Sequence, residues 1–442
     1  MEKIVVFQVL IIDMTKKLNI AIVGLGQIGN YLYNELNTKK KDILKKTGKI
    51  ISVSAISAKN INKKRKFRIN KKIFYKDPFK IFKNNKIDIL IEAIGQSDGI
   101  SKKIVEFALK NKIHVVTPNK ALISKHGNNL SKLAEKNKVN LEFEASVGGG
   151  IPVLRTIKEG LATNKISKVY GILNGTCNYI LSEMEETKSG FSTVLKKAQL
   201  LGYAEPGNPK LDLNGYDALA KVKILSALAF NNKVSNSKCL MEGIENIEYK
   251  DLEIANQLNY KIKLLGITEI VNNKLFERVH PCLIKKNTYI ANVNGVMNAV
   301  IIEGNPVGES VLQGEGAGPG PTSSALMSDL LSILRGNIKY PFGISDNKRK
   351  SPSIYNTDNY SNALYIRLEV KDKPGVLSEI TKKFAKHKIS VQRLIQIPNN
   401  KNKTASIVII THKSLEKDYQ KCIKSFKSNL NIIKNPVLLR LF

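Results

Sequence analysis

Asp217 and Lys221 lie four residues apart in YDALAKVKIL, where Ala218, Val222, Leu225 and Ala229 mark a single apolar stripe. On a helix such a polar pair shares one face. An exposed ion pair of this kind is worth little. The residues upstream change the balance: Glu205 and Asp212 stand in GYAEPGNPKLDLNG, so a loop with two acids feeds a helix that begins Asp-x-x-x-Lys. That pattern suits the ammonium group of an amino acid with a proton carrier beside it. Hydride reduction of an aldehyde leaves an alkoxide that must take a proton. A lysine supplies it when burial or a second cation brings its pKa toward neutrality.

The elements that must position these groups begin with LNIAIV (18–23), a buried parallel strand by its β-branched content. GLGQIG follows directly. Gly24 permits the tight turn, Gly26 lets backbone approach a pyrophosphate, and Gly29 lets helix and strand pack. Gln27 and Ile28 open the helix whose N–H groups face the phosphates. The next strand, 50–56, ends in SAKNINKKR, with Lys59, Lys63, Lys64 and Arg65 and no acid. Enzymes that use NAD usually carry an acid here, so the basic end favours NADP, although lysine is abundant throughout the chain.

Further βα units follow, with strands at 87–94, 113–116 and 141–145 and a helix at 100–110. The strand 113–116 ends in Thr117-Pro118-Asn119-Lys120. Ligands bind at the carboxyl ends of such strands, which points Lys120 toward cofactor and substrate, and it is a candidate for the second cation. EASVGGGIP (144–152) reads either as exposed backbone offered to a ligand or as an interdomain hinge. NGTCNYI (174–180) is a polar turn between apolar runs.

After a polar stretch at 345–362, read as a linker, the pattern restarts. Strands at 363–370, 389–397, 405–411 and 431–441 and helices at 376–387 and 415–428 give the order βαββαβ, a ferredoxin-like arrangement. The turn Asp372-Lys373-Pro374-Gly375 opens a helix N-terminus able to hold an amino-acid carboxylate.

Composition bounds the rest. A chain of 442 residues with 42% hydrophobic content calls for two or three packed domains. The net charge of +34 admits a polyanion partner. The basic residues, however, are spread along the whole chain, without an aromatic-interleaved block or zinc-finger spacing, so no nucleic-acid partner is expected. The four cysteines, Cys177, Cys239, Cys282 and Cys422, form no CxxC pair, consistent with a reducing cytoplasm. The apolar run 4–12 is too short to span a membrane, and residues 1–13, ahead of Met14, read as an N-terminal extension.

Together GLGQIG, TPNKAL, EASVGGGIP, NGTCNYIL, the 205–221 segment and GEGAGPGPTSSA (314–325) resemble the homoserine dehydrogenase family over roughly 18–344. LEVKDKPGVLSEI resembles an ACT domain, a small amino-acid-binding regulator. The resemblance implies that Lys221 is the proton donor and acceptor and that Lys120 lies beside cofactor and reacting oxygen. It implies that Glu205 and Asp217 bind homoserine and that Gly202 and Gly318 line the nicotinamide site. It also implies that Glu144, Val147, Gly149 and Ile151 hold a monovalent cation such as sodium, mostly through carbonyls. Asp212 is a further candidate for substrate binding, although the stretch from Glu205 is one residue longer than the family's spacing. The Gly-rich run at Gly318 departs as well, with an additional Pro-Gly.

The implied reaction interconverts L-homoserine and L-aspartate 4-semialdehyde with NADP or NAD, in threonine and methionine synthesis, with threonine as effector and a homodimer as assembly. The expected α/β architecture is a Rossmann domain at 14–146 with a return segment at about 312–344. A catalytic and dimerisation domain at 147–311 and an ACT domain at 363–442 complete it. Two other classes compete. A phosphorylating semialdehyde dehydrogenase needs a nucleophilic cysteine near a histidine; Cys177 is the candidate, with no histidine near it in sequence. A non-catalytic sensor or nucleic-acid binder could reuse the fold, but the retained Lys120, Glu205, Asp217 and Lys221 argue for an enzyme.

Overall fold

The computed structural model describes residues 17–207, 209–399, 402–426 and 429–442. The extension read at 1–13 lies outside the described residues. The chain divides into two compact units. One comprises residues up to 162 together with 317–350, and the other 163–316 with 351–442.

In the first unit, β1 (Lys17–Val23), β2 (Ile50–Ser57), β3 (Phe74–Tyr75), β4 (Ile89–Glu92), β5 (His114–Val116) and β6 (Leu141–Glu142) form one parallel sheet in the order β3-β2-β1-β4-β5-β6. This is the doubly wound order, with the strand sequence reversing between β1 and β4. Helices α1 (Gln27–Thr38), α2 (Lys40–Thr47), α3 (Lys80–Asn84), α4 (Ile100–Lys110) and α5 (Lys120–Lys136) fill the crossovers. A single turn, α6 (Val153–Arg155), follows. The later helix α12 (Pro319–Leu334) returns to this unit, and its Leu326, Leu330, Ile333 and Leu334 join the core of Ile20, Ile22, Leu32 and Leu36. The strand read at 141–145 is shorter: it stops at Glu142, and Glu144–Ser146 form a 3-10 turn.

The second unit is built on one large sheet. Its strands are β7 (Lys165–Ile172), β8 (Leu240–Met241), β9 (Tyr260–Val271), β10 (Lys274–Lys285), β11 (Met297–Asn305) and β12 (Gly308–Glu315), followed by those of the C-terminal module. That module contributes β14 (Leu364–Lys371), β15 (Val391–Asn399), β16 (Thr404–Thr411) and β18 (Val437–Leu441). Its helices are α13 (Val376–Lys386) and α14 (Glu416–Phe426), in the order βαββαβ. A small side pair, β13 (Ser361–Asn362) with β17 (Ser414–Leu415), flanks it. The main path runs β12-β11-β7-β9-β10-β18-β14-β16-β15. The module is therefore not a bead beyond a linker: β18 pairs in parallel with β10, Cys282 opposite Arg440 and Leu283 opposite Leu441.

The stretch read as a linker is likewise pinned. Within the second unit, Leu275 exchanges backbone hydrogen bonds with Ser353 and Tyr355 (2.8 Å each), and the rings of Tyr355 and Tyr360 pack on Phe276. Its polar composition concealed two aromatic anchors.

Helices α7 (Gly175–Thr187), α8 (Phe191–Leu200), α9 (Lys210–Leu213), α10 (Tyr216–Ala229) and α11 (Tyr249–Gln257) complete this unit. Helix α10 sits close to the sheet because Gly266 on β9 has no side chain. A Cβ there would come within 2.6 Å of both Leu173 and Val222.

Lys263 on β9 is a buried ammonium bonded only to neutral oxygens: Val293 O (2.6 Å), Asn294 Oδ1 (3.0 Å) and Asn178 Oδ1 (3.1 Å). Burial, then the nearby Lys261, lowers its pKa to about 8. Between about pH 8 and 10.5 the unfolded chain binds this proton and the folded chain does not, so stability rises with pH across that window. Below it the charged form costs on the order of 3 kcal/mol. Denaturant melts at about pH 7 and about pH 10 are expected to show this rise in the parent and to lack it in Lys263→Met. Equal slopes in both proteins would mean that Lys263 titrates like a solvated lysine.

Candidate active site

The cofactor end of the first unit follows from its glycines. Gly24 lies at φ +101, and a Cβ there would stand 2.4 Å from the Ala93 carbonyl. A Cβ on Gly29 would stand 1.9 Å from the Gly24 oxygen. Gly26 faces open space instead. It is the N-cap of α1, which has no side-chain cap and no acid in its first turn, so the amides after Gly26, from Gln27 and Ile28 onward, are free to meet a diphosphate.

A cavity of about 670 Å³ opens there, lined by Gly26, Gln27, Tyr31 and the basic run 63–66. Asn30 clamps this run to α1 by exchanging two hydrogen bonds with Phe67 (2.9 Å each). Arg65 is used internally, donating to the carbonyls of Leu25, Asn60, Ile61 and Lys63. Lys63, Lys64 and Lys66 remain exposed. Lys59 is exposed beyond the end of β2 and is not part of this lining. Gly318, at φ +111, is the N-cap of α12.

Lys120 is the first residue of α5. Its loop is held by Glu92, a fully buried carboxylate at the end of β4 on which sequence reasoning had placed no role. Glu92 accepts from Thr117 Oγ1 (2.6 Å), Ser101 Oγ (3.0 Å), Asn119 Nδ2 (3.3 Å) and the amides of Ile94 (2.9 Å) and Gly95 (3.3 Å). Asn119 in turn caps α5 by accepting from the Leu122 amide (3.0 Å). The signal in the sequence was a single acid ending an apolar strand just before a glycine.

The EASVGGGIP segment is buried from Glu144 to Gly149, with Gly148 and Gly149 at φ 74 and 56. Glu144 accepts from the amides of Leu154 (2.9 Å) and Arg155 (2.8 Å). Three carboxylates, Glu142, Glu144 and Asp329, face two cations here. Lys158 meets Glu142 at 3.1 Å and Arg155 meets Asp329 at 3.3 Å. Burial, then the Glu142 charge, raises Asp329 well above the carboxylate range, and burial raises Glu144. With Asp329 pushed toward its neutral form, Glu142 and Glu144 balance Lys158 and Arg155, so a cation here would be held mainly by backbone carbonyls, of which that of Ile151 already accepts from the Val153 amide (2.8 Å).

In the second unit the structure brings Asp212, Asp217 and Lys221 together. Lys221 is 7% exposed. Its Nζ donates to the Leu173 carbonyl (2.6 Å) and pairs with Asp217 Oδ2 (2.9 Å). Two of the three ammonium hydrogens are thereby committed, and the third can meet a reacting oxygen. Asn174 joins the two acids, with Nδ2 donating to Asp212 Oδ1 (2.9 Å) and Asp217 Oδ2 (3.1 Å), while its Oδ1 caps α7 at the Cys177 amide (2.8 Å). The sequence marked NGTCNYI without giving Asn174 this role. Glu205 stands on the exposed stretch before the cluster, its side chain making no hydrogen bond or ion pair among the described residues. Gly202, at φ 77, is exposed on the same stretch.

Cys177 is not a nucleophile. It is fully buried, its Sγ donates to the Asp212 carbonyl (3.3 Å), and burial pushes the thiol well above its ordinary range. Among the described residues the Cys–His contact, Cys282 with His280 at 3.2 Å, is buried in β10.

A doubly wound nucleotide-binding unit, together with a buried lysine set among carboxylates, defines a nicotinamide-dependent oxidoreductase. Comparison with known proteins narrows the class. Family models for the homoserine dehydrogenase NAD-binding domain, for homoserine dehydrogenase and for the ACT domain match residues 24–144, 152–331 and 364–430. The homoserine dehydrogenase of Neisseria gonorrhoeae is 38% identical over 96% of this chain and 98% of its own, and that of Bacillus subtilis 32% identical over 95% and 96%. The crystal structure of a homoserine dehydrogenase from Thiobacillus denitrificans is 34% identical, with a TM-score of 0.87 over 97% of this chain and 98% of its own. The chain belongs to the homoserine dehydrogenase family and carries a C-terminal ACT domain.

Proposed function

We propose that the chain interconverts L-homoserine and L-aspartate 4-semialdehyde, with NADP preferred to NAD. The observation that carries this reading is the buried Lys221 ammonium, held by Leu173 and Asp217 beside the acid pair that Asn174 joins. Asp212 and Asp217 hold the substrate ammonium, with Glu205 as a further ligand. A bound nicotinamide would supply the hydride acceptor and donor for the carbinol carbon of the substrate. Lys221 takes the hydroxyl proton as the alcohol is oxidised and gives it back to the alkoxide on reduction. Lys120 is proposed as the second lysine of the reaction. Gly202 and Gly318 are proposed for the nicotinamide site, and Glu144, Val147, Gly149 and Ile151 for a monovalent cation such as sodium.

NADP is favoured because Lys63, Lys64 and Lys66 lie exposed at the cavity on α1 and no acid ends β2. Replacing Lys63 and Lys64 by alanine is expected to raise KM for NADP⁺ about tenfold and to leave KM for NAD⁺ within about twofold. An equal rise for both cofactors would remove the 2′-phosphate assignment.

Threonine feedback at the Asp372–Gly375 turn, where Gly375 is the N-cap of α13 at φ 90, belongs to the same reading. So do a place in threonine and methionine synthesis, a homodimer and a cytoplasmic location. The test is reduced-nicotinamide absorbance with L-homoserine and each cofactor, with and without L-threonine. A folded protein supplied with sodium that reduces neither cofactor would overturn the reading. Activity indifferent to threonine would remove the feedback alone.

A further inference from the structure

Arg440, on the last strand β18, is fully buried, and its guanidinium is shared between two carboxylates. Nη1 and Nη2 donate to Glu242 Oε2 (2.6 Å) and Oε1 (2.9 Å). Nε and Nη2 donate to Glu416 Oε2 (3.2 Å) and Oε1 (2.7 Å). Paired two-bond contacts of this kind fix both position and angle. Glu416 opens α14 of the C-terminal module, and Glu242 directly follows β8 of the catalytic sheet.

The three residues from Glu242 leave little slack. The Glu242 amide donates to the Val279 carbonyl (2.9 Å), and the Ile244 amide donates to the Leu213 carbonyl (3.1 Å). Between them, Gly243 lies so close to α9 that a Cβ would stand 2.1 Å from the Leu213 oxygen and 2.8 Å from the Asn214 Cα. Leu213 adjoins Asp212. The Glu242 carbonyl also lies 3.7 Å from where a Cβ on Gly215 would be, and Gly215 opens the helix that carries Asp217 and Lys221. A displacement of Glu242 is therefore passed through backbone contacts to the acid pair.

We propose that Arg440 is a positioning residue for the substrate: through Glu242 it lets the C-terminal module set the placement of Asp212 against Asn174 and Asp217. The inference rests on the reading of Asp212 and Asp217 as the homoserine site. Its consequence is specific. Loosening the clamp weakens homoserine binding and leaves the cofactor cavity alone, because that cavity belongs to the other unit. By linkage, any event that moves β18 or α14 changes homoserine affinity in the same way.

Glu242→Gln is the primary test, since this side chain is 32% exposed and its loss is better tolerated than that of Arg440. KM for L-homoserine is expected to rise about tenfold, with a smaller fall in kcat and an unchanged KM for NADP⁺. Arg440→Lys, which keeps the charge but not the fork, should fall between parent and Glu242→Gln. Tyr365→Phe removes a different hydrogen bond from the same seam, to Asp251 at 2.8 Å. It is expected to lower the melting temperature without moving either KM.

A parental homoserine KM in Glu242→Gln, an equal rise for substrate and cofactor, or the same rise in Tyr365→Phe would each overturn the proposal. Asp217→Asn separates the two levels. If it leaves homoserine KM unchanged, the reading of the site has failed, and the inference with it. If it raises KM while Glu242→Gln does not, the site stands and only the coupling is lost. Should Glu242→Gln fail to fold, Glu242→Asp, which pulls the carboxylate back by one methylene, is read by the same criteria.

Discussion

Replacing Lys221 with alanine is expected to lower kcat by about a thousandfold while NADP⁺ binds within about twofold of the parent. The lysine sits 7% exposed, bonded to the Leu173 carbonyl and Asp217, with one N–H to offer a reacting oxygen. Truncation removes the proton carrier and leaves a buried carbonyl and a carboxylate without their cation, so a lower melting temperature accompanies the kinetic loss. Lys221→Met separates the two effects, because it keeps most of the side-chain volume and removes only the charge and the protons. Both variants should therefore be equally slow, with Met the more stable. Cofactor binding, followed by calorimetric titration, reports on the unit whose glycine turn and cavity contain no part of this cluster. Turnover within tenfold of the parent in a folded Lys221→Met protein would take the proton role away from Lys221.

The sequence disclosed the parts whose chemistry is local. GLGQIG after an apolar strand marks one turn, and Asp-x-x-x-Lys on an apolar stripe marks one helix face. Each is confined to a few consecutive residues, so spacing alone carries the information. What stayed hidden was produced by contacts between distant segments. Asn174 binds acids 38 and 43 residues away. Glu92 reaches Thr117 across 25 residues, and Arg440 reaches Glu242 across 198. No periodicity foretells such pairings. The same reason explains the stretch 345–362: composition marked it as a linker, yet Tyr355 and Tyr360 pack on Phe276 of the distant strand β10. Asp212 shows the intermediate case. It was legible as an acid on the right loop, while its place beside Asp217 depended on a third residue. Lys59 shows the converse, a basic residue in the right stretch that the fold leaves outside the cavity lining.

Glu92 provides the second large effect, because one buried carboxylate holds the whole turn that precedes Lys120. Its two oxygens accept from two hydroxyls, two backbone amides and the Asn119 amide. In Glu92→Ala the buried donors of Ser101, Thr117 and Asn119 lose their acceptor, at about 1–3 kcal/mol for each one left unpaired. A domain only marginally stable cannot absorb several such losses, so this variant is expected to be largely unfolded or insoluble. Glu92→Gln is the informative substitution. It keeps size and shape but exchanges one accepting oxygen for an NH2 group, which then faces a donor. Thr117 and Ser101 can turn their hydroxyls to accept instead, whereas the amides of Ile94 and Gly95 cannot. The turn is therefore expected to survive with a lower melting temperature and a looser Asn119. Because Asn119 caps α5 and Lys120 is the first residue of that helix, kcat should fall about tenfold or more, with the Lys63–Lys66 cavity still binding NADP⁺. A Glu92→Gln protein with parental kcat and a lowered melting temperature would confine Glu92 to stability and release Lys120 from its control.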